Sequence, residues 1–171
     1  MNASVEEPFS NLPLNSTSNS DPIANTAAAP LSETDLWALI DALMQDPRPA
    51  RQVAQDDDGV ALRDALPNLR VRDYLATGCA TVAGARRVLA LASAFAHAAT
   101  TTEQAVTANS LAAWAALSLG RPAAGRRYLA KALSADPDHG LSLLIRKSLF
   151  HHCTPSVYRG IVSLARSRLC S

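Results

Sequence analysis

Two arginine pairs, Arg86-Arg87 and Arg126-Arg127, stand out in this 171-residue sequence, with Lys131 a helical turn beyond the second. Cations gathered on one surface repel one another until something acidic lies against them. These five residues are therefore the expected partner-binding set, and an acidic protein segment or a phosphate backbone is the expected counterpart. Helical geometry allows this only in part, because neighbours at i and i+1 lie about 100° apart and one of each pair can point sideways.

The other residues capable of chemistry form no constellation. His151, His152 and Cys153 are ligand types, but adjacent side chains on a helix diverge, and a metal site would need His139 or Cys170 to fold back toward them. The run Asp56-Asp57-Asp58 lacks the alternating oxygen ligands and closing Glu of a calcium loop, so it reads as helix N-terminal charge or a solvated loop. His97, among alanines, reads as a buried or half-buried structural residue. No Gly-x-Ser-x-Gly elbow, Walker loop or dinucleotide fingerprint is present, so no catalytic residue, metal or cofactor is expected.

Composition narrows the class. Hydrophobic residues make up 48% and aromatics 5%, with Ala and Leu abundant, which favours close-packed helices over a β-sandwich. The formal net charge of +1 conceals a split: residues 1–58 carry two basic and ten acidic groups, and the remainder fourteen basic and five acidic. An acidic arm lying on a basic body, a basic body made for an acidic partner, and a solvated charged surface all fit that split. Cys79, Cys153 and Cys170 are odd in number and widely spaced, which implies no disulfide framework and a reducing, cytoplasmic setting. No apolar segment follows the N-terminus as a secretory signal would require, so the sequons at Asn2 and Asn15 carry no meaning.

Residues 1–31, rich in Asn, Ser, Pro and Ala, read as a disordered acidic tail, and 32–171 as one helical domain. Ser32 caps a helix with Leu36, Leu39, Ile40, Leu43 and Met44 on one face, stopped by Asp46-Pro47. A loop is expected over 47–59, then short helices through Leu62 to Leu66 and through Val71 to Leu75, the latter ending at Gly78. A long helix from Thr81 follows, and its uncharged stretch from Val88 to Thr102 is too short for a membrane span and suits a buried central helix. Asp138 is placed to cap a helix with Leu141, Leu144, Ile145, Ser148 and Leu149 on one face. Thr154-Pro155 opens a last helix with Val157, Ile161, Leu164 and Ala165 inward.

Residues 105–140 carry the clearest pattern. An apolar helix closes at Gly120, Pro122 starts the next, and Asp136-Pro137 ends it, so the two must pack antiparallel with Trp114, Tyr128 and Leu133 in the core. Gly120, Tyr128, Ala132-Leu133 and Asp136-Pro137 resemble one tetratricopeptide repeat, departing from it at Gly125, where Ala is usual. Read together, LRDALPNLRVRDYL at 62–75 and the Leu111 to Leu149 segment are similar to the C-terminal helical half of actinobacterial domain-of-unknown-function family 4192. The family's long N-terminal part is replaced here by the acidic tail. The resemblance implies no activity, but it does imply an actinobacterial, phage or plasmid setting, which suits a body whose fourteen basic residues include only two lysines, Lys131 and Lys147.

The expectation is a compact all-α array with a tetratricopeptide-like hairpin, acting as a protein-interaction module, either an adaptor or a regulatory subunit. The alternative is a nucleic-acid-associated transcriptional regulator using the basic body, with Arg159, Arg166 and Arg168 of the last helix as its reading residues.

Overall fold

Helix α1, Glu33–Gln45, starts where the sequence places it, because the Ser32 hydroxyl oxygen accepts from the Asp35 amide at 3.2 Å. The computed structural model describes residues 31–169, with side chains as far as Ala165, so the tail over 1–30 lies outside the described residues. Pro47, which has no N–H to donate, follows the Asp46 C-cap. The expected loop over 47–59 instead holds a single turn, α2 (Ala50–Val53), and the start of α3 (Asp57–Ala65). The Asp triplet is that helix's N-terminus, with Asp56 Oδ1 accepting from the Gly59 amide at 2.9 Å. Helix α4, Leu69–Thr77, is capped by Asn68 and runs into a 3-10 turn, Gly78–Ala80.

Thr81 then caps α5 (Val82–Ala98), and Thr101 with Gln104 forms a reciprocal capping box on α6 (Thr102–Ser118). Gly84 is required where it stands, because a Cβ there would lie 2.0 Å from the Gly78 carbonyl oxygen, a backbone atom. Gly120, at φ +69°, turns the chain into α7 (Pro122–Ala135). Helices α8 (Gly140–Phe150) and α9 (Pro155–Leu169) complete an all-α array with no strand among the described residues.

The centre of the array is α6. Every residue from Val106 to Ser118 is buried. The sequence reading gave that place to the Val88–Thr102 stretch, but α5 buries Ala85, Val88, Leu91, Ala92, Ala94 and Phe95 and leaves Arg86, Ala90 and His97 exposed. Absence of charge does not distinguish the two helices. What makes α6 enclosable is that its polar side chains bond back to their own helix: Asn109 to Ala105 O at 2.8 Å, Ser110 to Val106 O at 2.9 Å and Ser118 to Trp114 O at 3.0 Å.

Three packing expectations need correction. In α7 the inward line is Gly125, Leu129 and Ala132; Tyr128 and Leu133 are half-buried at its margin. A Cβ on Gly125 would come within 2.8 Å of Leu117 Cγ, so the departure from Ala makes room for that leucine. Trp114 is buried, but its ring meets the edge of Tyr158 in α9 at 5.2 Å. In α9 the buried residues are Tyr158 and Val162, while Val157, Ile161 and Leu164 are 44%, 48% and 70% exposed. The helix is turned by about one residue from the expected face, because the Tyr158 hydroxyl reaches Ser148 Oγ at 2.9 Å and Arg159 Nη1 donates to the Ser118 carbonyl at 2.6 Å. In α8, Ile145 and Ser142 are buried and Leu144 is exposed. His139, not Asp138, occupies the N-cap, with no side-chain capping bond.

Trp114→Ala should lower unfolding stability by about 3 to 5 kcal/mol, read by chemical denaturation, because it empties the space between α6 and α9. Leu144→Ala should change it by less than about 1 kcal/mol. Equal effects would refute this assignment of inner and outer faces.

Candidate functional site

Ala90, Ser93, Ala94 and His97 follow one another at helical spacing along one side of α5, Ala90 and His97 exposed, Ser93 half-buried and Ala94 buried beneath them. Together with Pro49 to Gln55 around α2, Asn109 of α6, and Tyr128 and Lys131 of α7, they line an open groove of about 720 Å3. Tyr128 ties two of its walls together by donating to Ser93 Oγ at 3.0 Å. Lys131 Nζ lies 5.9 Å from the Tyr128 ring centre, a cation–π contact that holds the ammonium at the groove wall. Arg51 stands on the α2 side.

The charge here is of one sign. No Asp or Glu lines the groove. Among the described residues neither Arg51 nor Lys131 has an ion-pair partner; the paired cations are Arg48, Arg63, Arg70 and Arg72. Asn109 is nearly buried and its Nδ2 is committed to the Ala105 carbonyl, which turns its Oδ1 the other way as an available acceptor.

The five cations singled out by sequence do not form one patch. Lys131 lines the groove. Arg86 precedes Ala90 by four residues on the same face of α5, and Arg127 precedes Lys131 by four on α7, so both extend the groove beyond its walls. Arg126, about 100° around the helix from Arg127, is exposed on another face. Arg87 serves the fold: Nε donates to the Leu43 carbonyl at 3.0 Å and Nη1 to that of Arg48 at 2.9 Å, and burial holds its guanidinium below the ordinary value. Sequence reasoning missed Arg51, because the loop expected there hid a helical turn, and Asn109. It also read His97 as a buried or half-buried structural residue, whereas it is exposed on the groove side. The signal that could have found the groove was the small and polar stripe 90, 93, 94, 97 opposite the apolar stripe of α5.

The remaining candidates are apart from this groove. His151 and His152 are exposed after α8 and Cys153 is half-buried; no group of three potential metal ligands gathers among the described residues. Burial pushes the Cys79 thiol up to about 12, so it behaves as an apolar core atom. Arg166 and Arg168 lie beyond the described side chains. A second concavity of about 560 Å3 between α4, α8 and α9 is apolar, with Leu141, Leu144 and Ile161 in its walls and Arg72 and Asp73 at its rim.

One polar cluster is internal. Ser110 and Ser142, both fully buried, stand 2.7 Å apart, and His139 Nδ1 lies 2.9 Å from Ser142 and 3.2 Å from Ser110. Because the Val106 carbonyl can only accept, the chain is satisfied throughout when it runs from His139 Nδ1–H to Ser142, to Ser110, to Val106 O. Both serines are fully buried, and their bonds join α6 to α8. Desolvation, then the charge of Arg72, holds the His139 imidazole below its ordinary value, against the opposing pull of Asp136 and Glu103.

The described residues form an all-α helical array with an open groove whose charged lining residues, Arg51 and Lys131, are both cationic. The chain belongs to the family described as domain of unknown function (DUF4192), which it matches over residues 16–156. No curated protein and no solved structure matches it.

The His139 environment has a measurable consequence. Its folded value lies below the ordinary 6.5, so the unfolded chain binds the proton first on acidification. The contribution is complete above pH 6.5 and is lost as pH falls below it. The melting temperature should therefore drop between about pH 7.5 and 5 in the wild type and drop less in His139→Asn. Superimposable profiles would remove the linkage.

Proposed function

We propose that this chain is a non-enzymatic protein-interaction module, an adaptor or regulatory subunit, whose partner binds in the groove between α2, α5 and α7. The observation that carries this is the lining itself: an alanine-rich floor flanked by Arg51 and Lys131, which have no ion-pair partners among the described residues, with no carboxylate facing them. A fold that uses a cation for its own stability gives it an acceptor, as Arg63 has Asp64 and Arg87 the Leu43 carbonyl, and among the described residues Arg51 and Lys131 have neither a carboxylate nor a carbonyl. The tetratricopeptide pattern of α6 and α7 supports the same reading, since helical hairpins of that kind present side-by-side helices with a groove between them. In this reading the chain corresponds to the C-terminal half of the longer actinobacterial form of the family, its cytoplasmic partner being a protein.

The nucleic-acid reading gains less. Arg159, its first recognition residue, is spent on the Ser118 carbonyl, and no observation sets the last helix into a groove of DNA.

Ala90 is exposed on the groove wall, so Ala90→Trp fills the groove without altering charge or core. Partner capture from a host lysate by the wild type should fall at least tenfold with this variant, while the helical circular-dichroism signal is kept. Undiminished capture would remove the groove as the binding face.

A further inference from the structure

The groove's dimensions and chemistry narrow its occupant. Arg86, just beyond the lining, to Ala98 is thirteen residues of α5, twelve rises of 1.5 Å or about 18 Å. An extended chain covers that length in about five residues. The Ser93–Tyr128 bond marks the middle of the groove. Beyond it, His97 and Lys131 stand one helical turn further along α5 and α7, and Arg86 and Arg127 lie on the other side. Arg51 faces the same space from α2. The two cations of the lining, Arg51 and Lys131, thus stand on different walls and not at one point, which suits carboxylates spaced on a chain better than a single small anion.

The uncharged part of the lining separates a peptide from a nucleic acid. Ala50, Ala54, Ala90, Ala94, Ala96 and Ala98 present methyl groups, which suit the methylenes of Glu and small apolar side chains. Base stacking calls for an open aromatic face, and the aromatic in this lining, Tyr128, already has Lys131 against its ring and its hydroxyl bonded to Ser93. Asn109 Oδ1 is a lone acceptor set among these methyls, placed to receive one N–H, as a peptide backbone supplies.

From this we infer that the groove binds an extended acidic peptide segment of about five residues, its carboxylates on Arg51 and Lys131 and a backbone N–H on Asn109. The inference rests on the reading of the groove as the binding face. It goes further in fixing the chemistry of the partner: a segment rich in Glu or Asp with small residues between them, carried on another protein.

The test uses the full chain and a fluorescein-labelled ten-residue peptide of alternating Glu and Ala, with the Lys-Ala counterpart and a ten-base oligothymidylate as competing probes, followed by fluorescence anisotropy at low salt. Saturable one-to-one binding of the Glu-Ala peptide is expected. Arg51→Glu with Lys131→Glu should weaken it at least tenfold, as should Ala90→Trp, and Asn109→Ala by a smaller factor. Reversal of two exposed cations outside the groove, Arg146→Glu with Lys147→Glu, should change it less than twofold. Absence of saturable binding would overturn the proposal, as would an equal loss from the Arg146 and Lys147 reversal, which would reduce binding to diffuse surface charge. Tighter binding of the oligothymidylate, lost on the same groove variants, would make a single-stranded nucleic acid the occupant. Failure of the acidic peptide can be told from failure of the groove itself. If lysate capture is lost in Ala90→Trp but survives the Arg51 and Lys131 reversal, the groove remains the binding face and only the acidic occupant is discarded.

Discussion

The enclosure of α6 is the constraint on which the rest of this structure depends. A helix buried on every side from Val106 to Ser118 cannot carry a side chain that needs water, and it cannot be bulky where neighbours cross it. Most of its residues meet these demands, with alanines at the crossings and the Asn109 amide and the Ser110 and Ser118 hydroxyls returning to their own backbone, while the buried Trp114 indole N–H is left without a partner. Its flanking helices α5 and α7 then stand close enough for Tyr128 to reach Ser93, and the space left above their contact, roofed on one side by α2, is the cationic groove. The floor of that groove is alanine-rich for the same reason that the core is.

Enclosing one helix creates a problem at the ends of the others, since the last carbonyls of each helix lack partners within it. Three arginines resolve this. Arg63 donates to Ala98 O at the end of α5, Arg87 to Leu43 O in the last turn of α1, and Arg159 to Ser118 O at the end of α6. Hydrogen bonds from a charged donor contribute about 1.5 to 3 kcal/mol each, and here they also set the rotation of helices such as α9. Arg63 further shares Asp64 with Gln104, whose Oε1 caps the start of α6, so a single network joins α3, the α5–α6 connection and the central helix. The arithmetic excess of positive charge over residues 59–171 therefore overstates the free cations: part of it is structural cement, and of the rest Lys131 lines the groove while Arg126, Arg146 and Lys147 are exposed elsewhere.

That distinction explains what was legible in the sequence. Caps at Ser32, the hairpin turn at Gly120 and the stops at Asp46-Pro47 and Asp136-Pro137 are local chemistry, and they can be read directly. The all-α class and the family likeness follow from the same local signals. The identity of the central helix was not legible, because the Val88–Thr102 stretch and α6 are equally free of charge in the segment that matters, and only long-range packing decides between them. Nor was the rotation of α9, where an amphipathic count favoured Val157, Ile161 and Leu164. Two polar bonds from Tyr158 and Arg159 to other helices outweighed that preference. The partner-binding cations were legible as residue types but not as a surface. Arg86 and Arg87 are adjacent in sequence, yet one extends the groove and the other holds α1 in place.

The proposed partner seat is the α2, α5 and α7 groove and not the apolar concavity between α4, α8 and α9. Hydrogen–deuterium exchange of the chain with and without its captured partner reads this most directly, because each helix reports separately. New protection is expected over Ala50–Val53, the second half of α5 and the Tyr128–Lys131 stretch of α7, with α8 and α9 unchanged. Protection appearing over Gly140–Phe150 and α9, with α5 and α7 unaltered, would contradict it.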